Sequence, residues 1–270
     1  MYWKRWLTAL VLLPPLIFLI FKGGQLLFAI VVIATALLCL REYFRIAFTN
    51  HTPRIPGVYH GWGYLSGVVI MVCAYRQSYL AMILSLTLSV IGAAAISIHR
   101  FSVSQDAPLV AVKQVFGVFY IGICLSFIIL LRSTPNGPLW VFFLFWVIAW
   151  GDTGALYVGS TLGRHKLCPA VSPKKTIEGA LGGLTANLIF AWIFKILFLN
   201  TMSGMVCTTF ALTVGAVGQL GDLFESEFKR VSGVKDSSTL LPGHGGFWDR
   251  LDAMLLAAPV AYALKEYLLP

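Results

Sequence analysis

Charge is what this sequence has least of. Lys, Arg, Asp and Glu make up only 11% of its 270 residues, against 58% hydrophobic residues and a mean hydropathy of +0.82. Repeated apolar runs of about 18 residues or more exclude an ordinary soluble domain and mark a polytopic membrane protein. Cysteine is also sparse. Cys39, Cys73, Cys124, Cys168 and Cys207 stand singly, without the paired spacing of a disulfide framework or a zinc site. Four of them sit in apolar runs, where Cys behaves as a small buried hydrophobe. No G-x-x-x-x-G-K-[ST] loop and no G-x-G-x-x-G fingerprint occurs, so a standard nucleotide fold is not indicated. Internal repeats and low-complexity tracts are absent as well.

What remains is an all-α membrane bundle. Apolar segments place helices at roughly 6–22, 25–47, 58–75, 79–98, 111–131, 138–159, 178–199, 204–226 and 251–269. These nine fill one integral membrane domain, 1–270, and leave no room for a second, soluble one. The opening "MYWKRWLTALVLLPPLIFLIF" has the charged start and apolar middle of a signal peptide. No small-residue cleavage site follows it, so it reads as a retained helix kinked at Pro14 and Pro15. With nine spans, Lys22, Arg76, Arg132, Lys195 and Lys265 fall on one side and the rest of the 20 Lys and Arg residues on the other. That asymmetry makes the richer side cytoplasmic, as in a bacterial inner membrane, although part of it is contributed by candidate site residues. The net charge of +9 is spread between apolar segments and forms no tract. It fits anionic lipid and substrate phosphates as partners and not nucleic acid.

The few charges are gathered in two islands. Residues 151–178 and 222–252 together carry 16 of the 31 charged side chains (20 basic and 11 acidic). Both belong to the cytoplasmic side, so a site built from 150–183 and 219–254 is expected. Asp152 lies inside an apolar run, where a carboxylate costs about 2.5 to 3.5 kcal/mol on insertion scales. It serves either a structural pair between helices or a functional site. In "SPKKTIEG", Ser172 is a plausible N-cap with Pro173 at the first helical position. Lys174 and Lys175 would then occupy the first turn of a helix, against its dipole but beside amide groups that bind phosphate. The plainer alternative is a pair of anchoring lysines with Glu178 as their helical partner. Gly179, Gly182 and Gly183 suit close helix packing, and such a face would also permit a homodimer.

In the second island Asp222, Glu225 and Lys229 share a helical face, and Asp249 and Asp252 repeat the i, i+3 spacing. Carboxylates so spaced are hard oxygen ligands suited to Mg²⁺. Asp249 and Asp252 could instead serve the dipole of the helix they begin. "PGHGG" adds a histidine, His244, whose near-neutral pKa suits a catalytic or phosphate-contact role, though a lone loop histidine is more often a surface residue.

These residues carry a resemblance. Ser226, Lys229, Arg230, Lys235, Asp236, Pro242, His244, Gly245, Gly246, Asp249, Arg250 and Asp252 stand where the signature of phosphatidate cytidylyltransferases requires them. "WGDTGALYVGS", "SPKKTIEG" and "GQLGDLFES" resemble further segments of that family. Cys168 and Ala170 depart from it, leaving one fewer basic group near the phosphates. The resemblance implies transfer of CMP from CTP to phosphatidic acid, giving CDP-diacylglycerol and pyrophosphate, with Mg²⁺ required and the number of metal ions open. It implies Asp222 and Asp249 as principal metal ligands, supported by Glu225, Asp252 and Asp152. Lys174, Lys175, Lys229, Arg230, Lys235 and Arg250 would hold phosphates, with Ser172, Thr176, Glu178, Ser226, Asp236 and His244 as further contacts. Two rivals remain: a CTP-dependent lipid kinase built from the same kinds of parts, and a transporter. A transporter would place its polar groups near the midplane in matched halves, a pattern the sequence lacks.

Overall fold

The computed structural model describes residues 13–49, 56–240 and 245–268. His244 and Pro242 lie outside the described residues, as does the charged start of the first expected helix. The chain divides into two compact units, Met1–Leu130 with Val231–Arg250, and Leu131–Arg230 with Leu251–Pro270.

The first unit holds α1 (Leu13–Lys22), α2 (Gly24–Ala47), α3 (Gly57–Tyr75), α4 (Tyr79–Arg100) and α5 (Ala107–Gly117). Helix α5 continues through a π-helical turn, Val118–Ile123, into α6 (Cys124–Ser133). Polar side chains tie the end of α2 to α5: Tyr43 Oη donates to the Lys113 carbonyl at 3.0 Å, and Lys113 Nζ to the Ala47 carbonyl at 3.0 Å. Trp248 packs edge-on against Tyr43 and Tyr120 at ring separations of 5.5 and 6.2 Å.

The second unit holds α7 (Gly137–Thr161), the two-stranded sheet of β1 (Lys166–Cys168) and β2 (Ser172–Thr176), α8 (Ile177–Phe198) and α9 (Gly204–Val231, but for its last residue). The last helix, α10 (Trp248–Leu268), begins in the first unit and runs into the second. Lipid tails give helices no hydrophobic reason to associate, so small residues and polar links must hold them. Helices α7 and α8 show both. A Cβ at Gly182 would lie 2.5 Å from the Val158 side chain, so the backbones approach as only glycine allows. Trp146 Nε1 donates to the Phe190 carbonyl at 2.9 Å, and Trp150 stacks on Phe190 at 3.6 Å. The glycine face of α8 is thus used inside the chain.

With α5, the π turn and α6 taken as one rod, the described residues form nine helices, in the places the apolar runs assign them. Seven are long and apolar enough to cross a membrane. The two others are α1, whose described part has ten residues, and α10, which carries Asp249, Arg250, Asp252, Lys265 and Glu266. Helix α9, whose second half turns polar in sequence, runs unbroken for 28 residues.

Candidate active site

Pairing with a preceding segment holds residues 172–176 extended. Accordingly Ser172 does not cap a helix, and Lys174 and Lys175 do not stand on a first helical turn. Residues 172–176 form strand β2, paired antiparallel with β1 so that Lys166 lies opposite Thr176 and Cys168 opposite Ser172. The cap is Thr176, extended at φ −126°, whose hydroxyl accepts from the Gly179 amide at 3.1 Å. A β-branched residue suits both the strand it ends and the cap it makes. Thr176→Ala should lower the thermal stability of the detergent-solubilised protein by about 1 kcal/mol, the usual worth of such a cap.

Glu178, placed by sequence beside Lys174, turns back to the start of the hairpin. It accepts from the amides of Arg164 at 3.0 Å and His165 at 3.1 Å and meets His165 Nδ1 at 2.5 Å. Arg230 Nε donates to the Val171 carbonyl at 2.9 Å, holding the hairpin turn to the end of α9. The two ends of the hairpin are therefore fixed, with Lys174 exposed and Lys175 half-buried.

Lys175 Nζ lies 2.6 Å from Asp222 Oδ2, an ion pair that joins the two charged islands directly. One turn on, Lys229 pairs with Glu225, whose carboxylate is fully buried. Asp252 of α10 lies within electrostatic range of Asp222 of α9, Asp152 of α7 and Lys229. Three helices thus bring Asp152, Asp222 and Asp252 into one neighbourhood, in which Lys175 and Lys229 are the neighbouring ammonium groups. Among the described residues no group of three or more His, Cys, Asp or Glu side chains is arranged as a ready metal cage. Gln219 donates to the Ala180 carbonyl at 3.0 Å and, with Asn187, lines a small cavity beside Asp152.

In the first unit, Asp249 Oδ2 accepts from the Ser237 amide at 2.9 Å, the Ser237 hydroxyl at 2.8 Å and the Gly246 amide at 2.7 Å. Lys235, Asp236 and Arg250 are exposed. Sequence reasoning missed Glu42, whose carboxylate is buried against this same segment. An acid near the end of an apolar helix was the available signal. Its partners, about 200 residues away, were not readable. Ser226 lies half-buried on α9.

The sequence model of the cytidylyltransferase family matches residues 3–268. Proteins named phosphatidate cytidylyltransferase are similar over nearly the full length of both chains. That of Staphylococcus saprophyticus is 32% identical over 261 residues, covering 95% of this chain and 96% of its own. That of Staphylococcus aureus (strain COL) is 34% identical over 263 residues with the same coverage. The protein from Staphylococcus epidermidis (strain RP62A) is 31% identical over 261 residues, again 95% and 96% of the two chains.

Proposed function

This chain belongs to the cytidylyltransferase family, its activity is phosphatidate cytidylyltransferase activity, and we propose that the two charged islands carry that activity at the cytoplasmic face of a bacterial inner membrane. The observation that supports this site most directly is the Lys175–Asp222 pair, which brings acids and bases from both islands together.

An oxygen of the phosphatidic acid phosphate attacks the α-phosphorus of CTP. The new P–O bond forms as the bond to the bridging oxygen breaks, and pyrophosphate carries away the electron pair. A phosphomonoester has its second pKa at about 6, so the attacking oxygen is already mostly ionised at neutral pH and needs no strong base. The protein's task is therefore positioning and charge compensation.

Asp222, Asp252 and Asp152 supply the hard oxygens that would hold Mg²⁺, with Glu225 beside them and Asp249 as the acid that the signature implies at the start of α10. When bound, the ion supplies positive charge against the triphosphate oxygens. Carboxylate oxygens are the donor type that suits such an ion, although the described acids do not stand as a preformed cage. Asp222 would be one of the groups holding the cation, and Lys175, 2.6 Å from it, would be placed to compensate a phosphate oxygen. Lys174 and Arg230 belong to the same unit as Lys175, Lys235 and Arg250 are the further phosphate contacts that the signature implies, and Lys229 is the partner of Glu225. Thr176, Glu178 and Arg230 contribute by fixing the hairpin that presents the lysines.

The purified protein in lipid nanodiscs, supplied with phosphatidic acid, Mg²⁺ and CTP labelled at either the α or the γ phosphate, tests the reading. Label should enter lipid from the α position alone, and only with the metal present. Transfer of the γ label would instead assign a CTP-dependent lipid kinase.

A further inference from the structure

We infer that Glu42 is a positioning residue for the transfer, acting from the end of α2 to orient Asp249 and the first turn of α10 through Ser237. The inference rests on the reading of Asp249 as an acid of the site.

Glu42 is only 2% exposed. Its Oε2 accepts from the Ser237 hydroxyl at 2.9 Å and the Trp248 amide at 2.8 Å, and its Oε1 from the Ser238 hydroxyl at 2.5 Å and the Phe247 amide at 3.2 Å. All four donors are neutral, two hydroxyls and two backbone amides. A carboxylate that receives the first amides of a helix does the work of an N-cap, normally done by the residue just before the helix. Here it comes from 206 residues away, so the start of α10 is set by α2 and not by its own approach.

Ser237 links this carboxylate to Asp249. Its hydroxyl oxygen lies 2.9 Å from Glu42 Oε2 and 2.8 Å from Asp249 Oδ2, and its amide also donates to Asp249 Oδ2. Oδ2 is held by the Ser237 and Gly246 amides, and the one Ser237 hydroxyl proton is shared between it and Glu42 Oε2, so the plane of the Asp249 carboxyl, and the direction of Oδ1 with it, depends on Glu42. Arg45, one turn along α2 from Glu42, donates to the Ser237 carbonyl and holds the same residue from its other side. Ring packing of Trp248 on Tyr43 keeps the helix start against α2. Glu42 reaches the signature segment at four points, two of them side chains, of which Ser237 is itself a partner of Asp249.

The test compares Glu42→Gln and Ser237→Ala with Asp249→Asn in the full chain in nanodiscs. Glutamine keeps the shape of Glu42 but turns one acceptor into a donor, and Ser237→Ala removes the shared hydroxyl without burying a new charge. Each should lower kcat about 10- to 100-fold, the range for groups that orient ligands, with KM for phosphatidic acid changed less than about twofold. Turnover is expressed per folded molecule, counted from the monodisperse size-exclusion peak, because loss of folded protein would also lower apparent kcat at unchanged KM; the unchanged KM then marks loss of an interaction made in the transition state and not of substrate binding. Hydrogen exchange at the amides of Gly246, Phe247 and Trp248 should speed up in Glu42→Gln, a readout independent of turnover. If Glu42→Gln does not fold, Ser237→Ala decides alone. Wild-type kcat per folded molecule in the variants, beside an inactive Asp249→Asn, overturns the inference and leaves the site reading standing. Near-normal turnover in Asp249→Asn removes the reading itself.

Discussion

Asp222→Asn is expected to abolish CMP transfer, with a loss of turnover of about a hundredfold or more, beyond what the removal of a merely orienting group produces. Asparagine preserves the shape of the side chain on α9 and removes its charge. The folded state should tolerate the change because Asp222 is half-buried and about a third of its side chain is exposed. The cost falls on function in two ways. Lys175 loses the partner that holds it at 2.6 Å, and the acids near Asp252 lose one of the charges that would bind a divalent cation. Initial rates with α-labelled CTP, beside a size-exclusion profile and a thermal unfolding curve, separate these outcomes. Turnover near that of the unaltered protein would refute the ligand assignment of Asp222.

Gly246→Ala is expected to damage both stability and activity. A Cβ there would fall 2.2 Å from the Ser237 hydroxyl oxygen and 2.4 Å from both Glu42 carboxylate oxygens. Each of those atoms is held by further hydrogen bonds, so none can retreat without breaking the links to Asp249 or to the start of α10. Overpacking of this kind costs about 1 to 3 kcal/mol, which should appear as a lower unfolding temperature and a lower kcat together. Gly57 serves as the comparison. It opens α3 with nothing within 4 Å of the added atom. Gly57→Ala should therefore leave stability unchanged or slightly raised. Equal losses in the two variants would show that glycine is needed for chain flexibility in general and not for the close approach to Glu42.

The apolar runs were enough to place the helices, because a segment about 20 residues long with almost no charge has one stable arrangement in a bilayer. Even α9, polar in its second half, was legible in this way. The hairpin at Lys166–Thr176 was not. "SPKKTIEG" carries a plausible cap and a proline in the right order, and the same residues also suit a strand that ends in Thr176. The pairing of β1 with β2 decided between them. Glu178 shows the same limit. Helical spacing pointed to Lys174, whereas the extended strand moves that lysine off the helix and leaves Glu178 to the amides of Arg164 and His165.

By itself the sequence determined the class of the protein, the places of its helices, its family and the kinds of side chain that transfer would need. These depend on composition and on residues close together in the chain, where spacing alone constrains geometry. Only the tertiary structure decided which acid meets which base, that Lys175 reaches Asp222, and that Glu42 closes on the segment around Asp249. Such contacts join residues tens to hundreds of positions apart, and a buried carboxylate accepts any well-aimed donor. Its partner is chosen by the packing that delivers the donor, which no local pattern encodes.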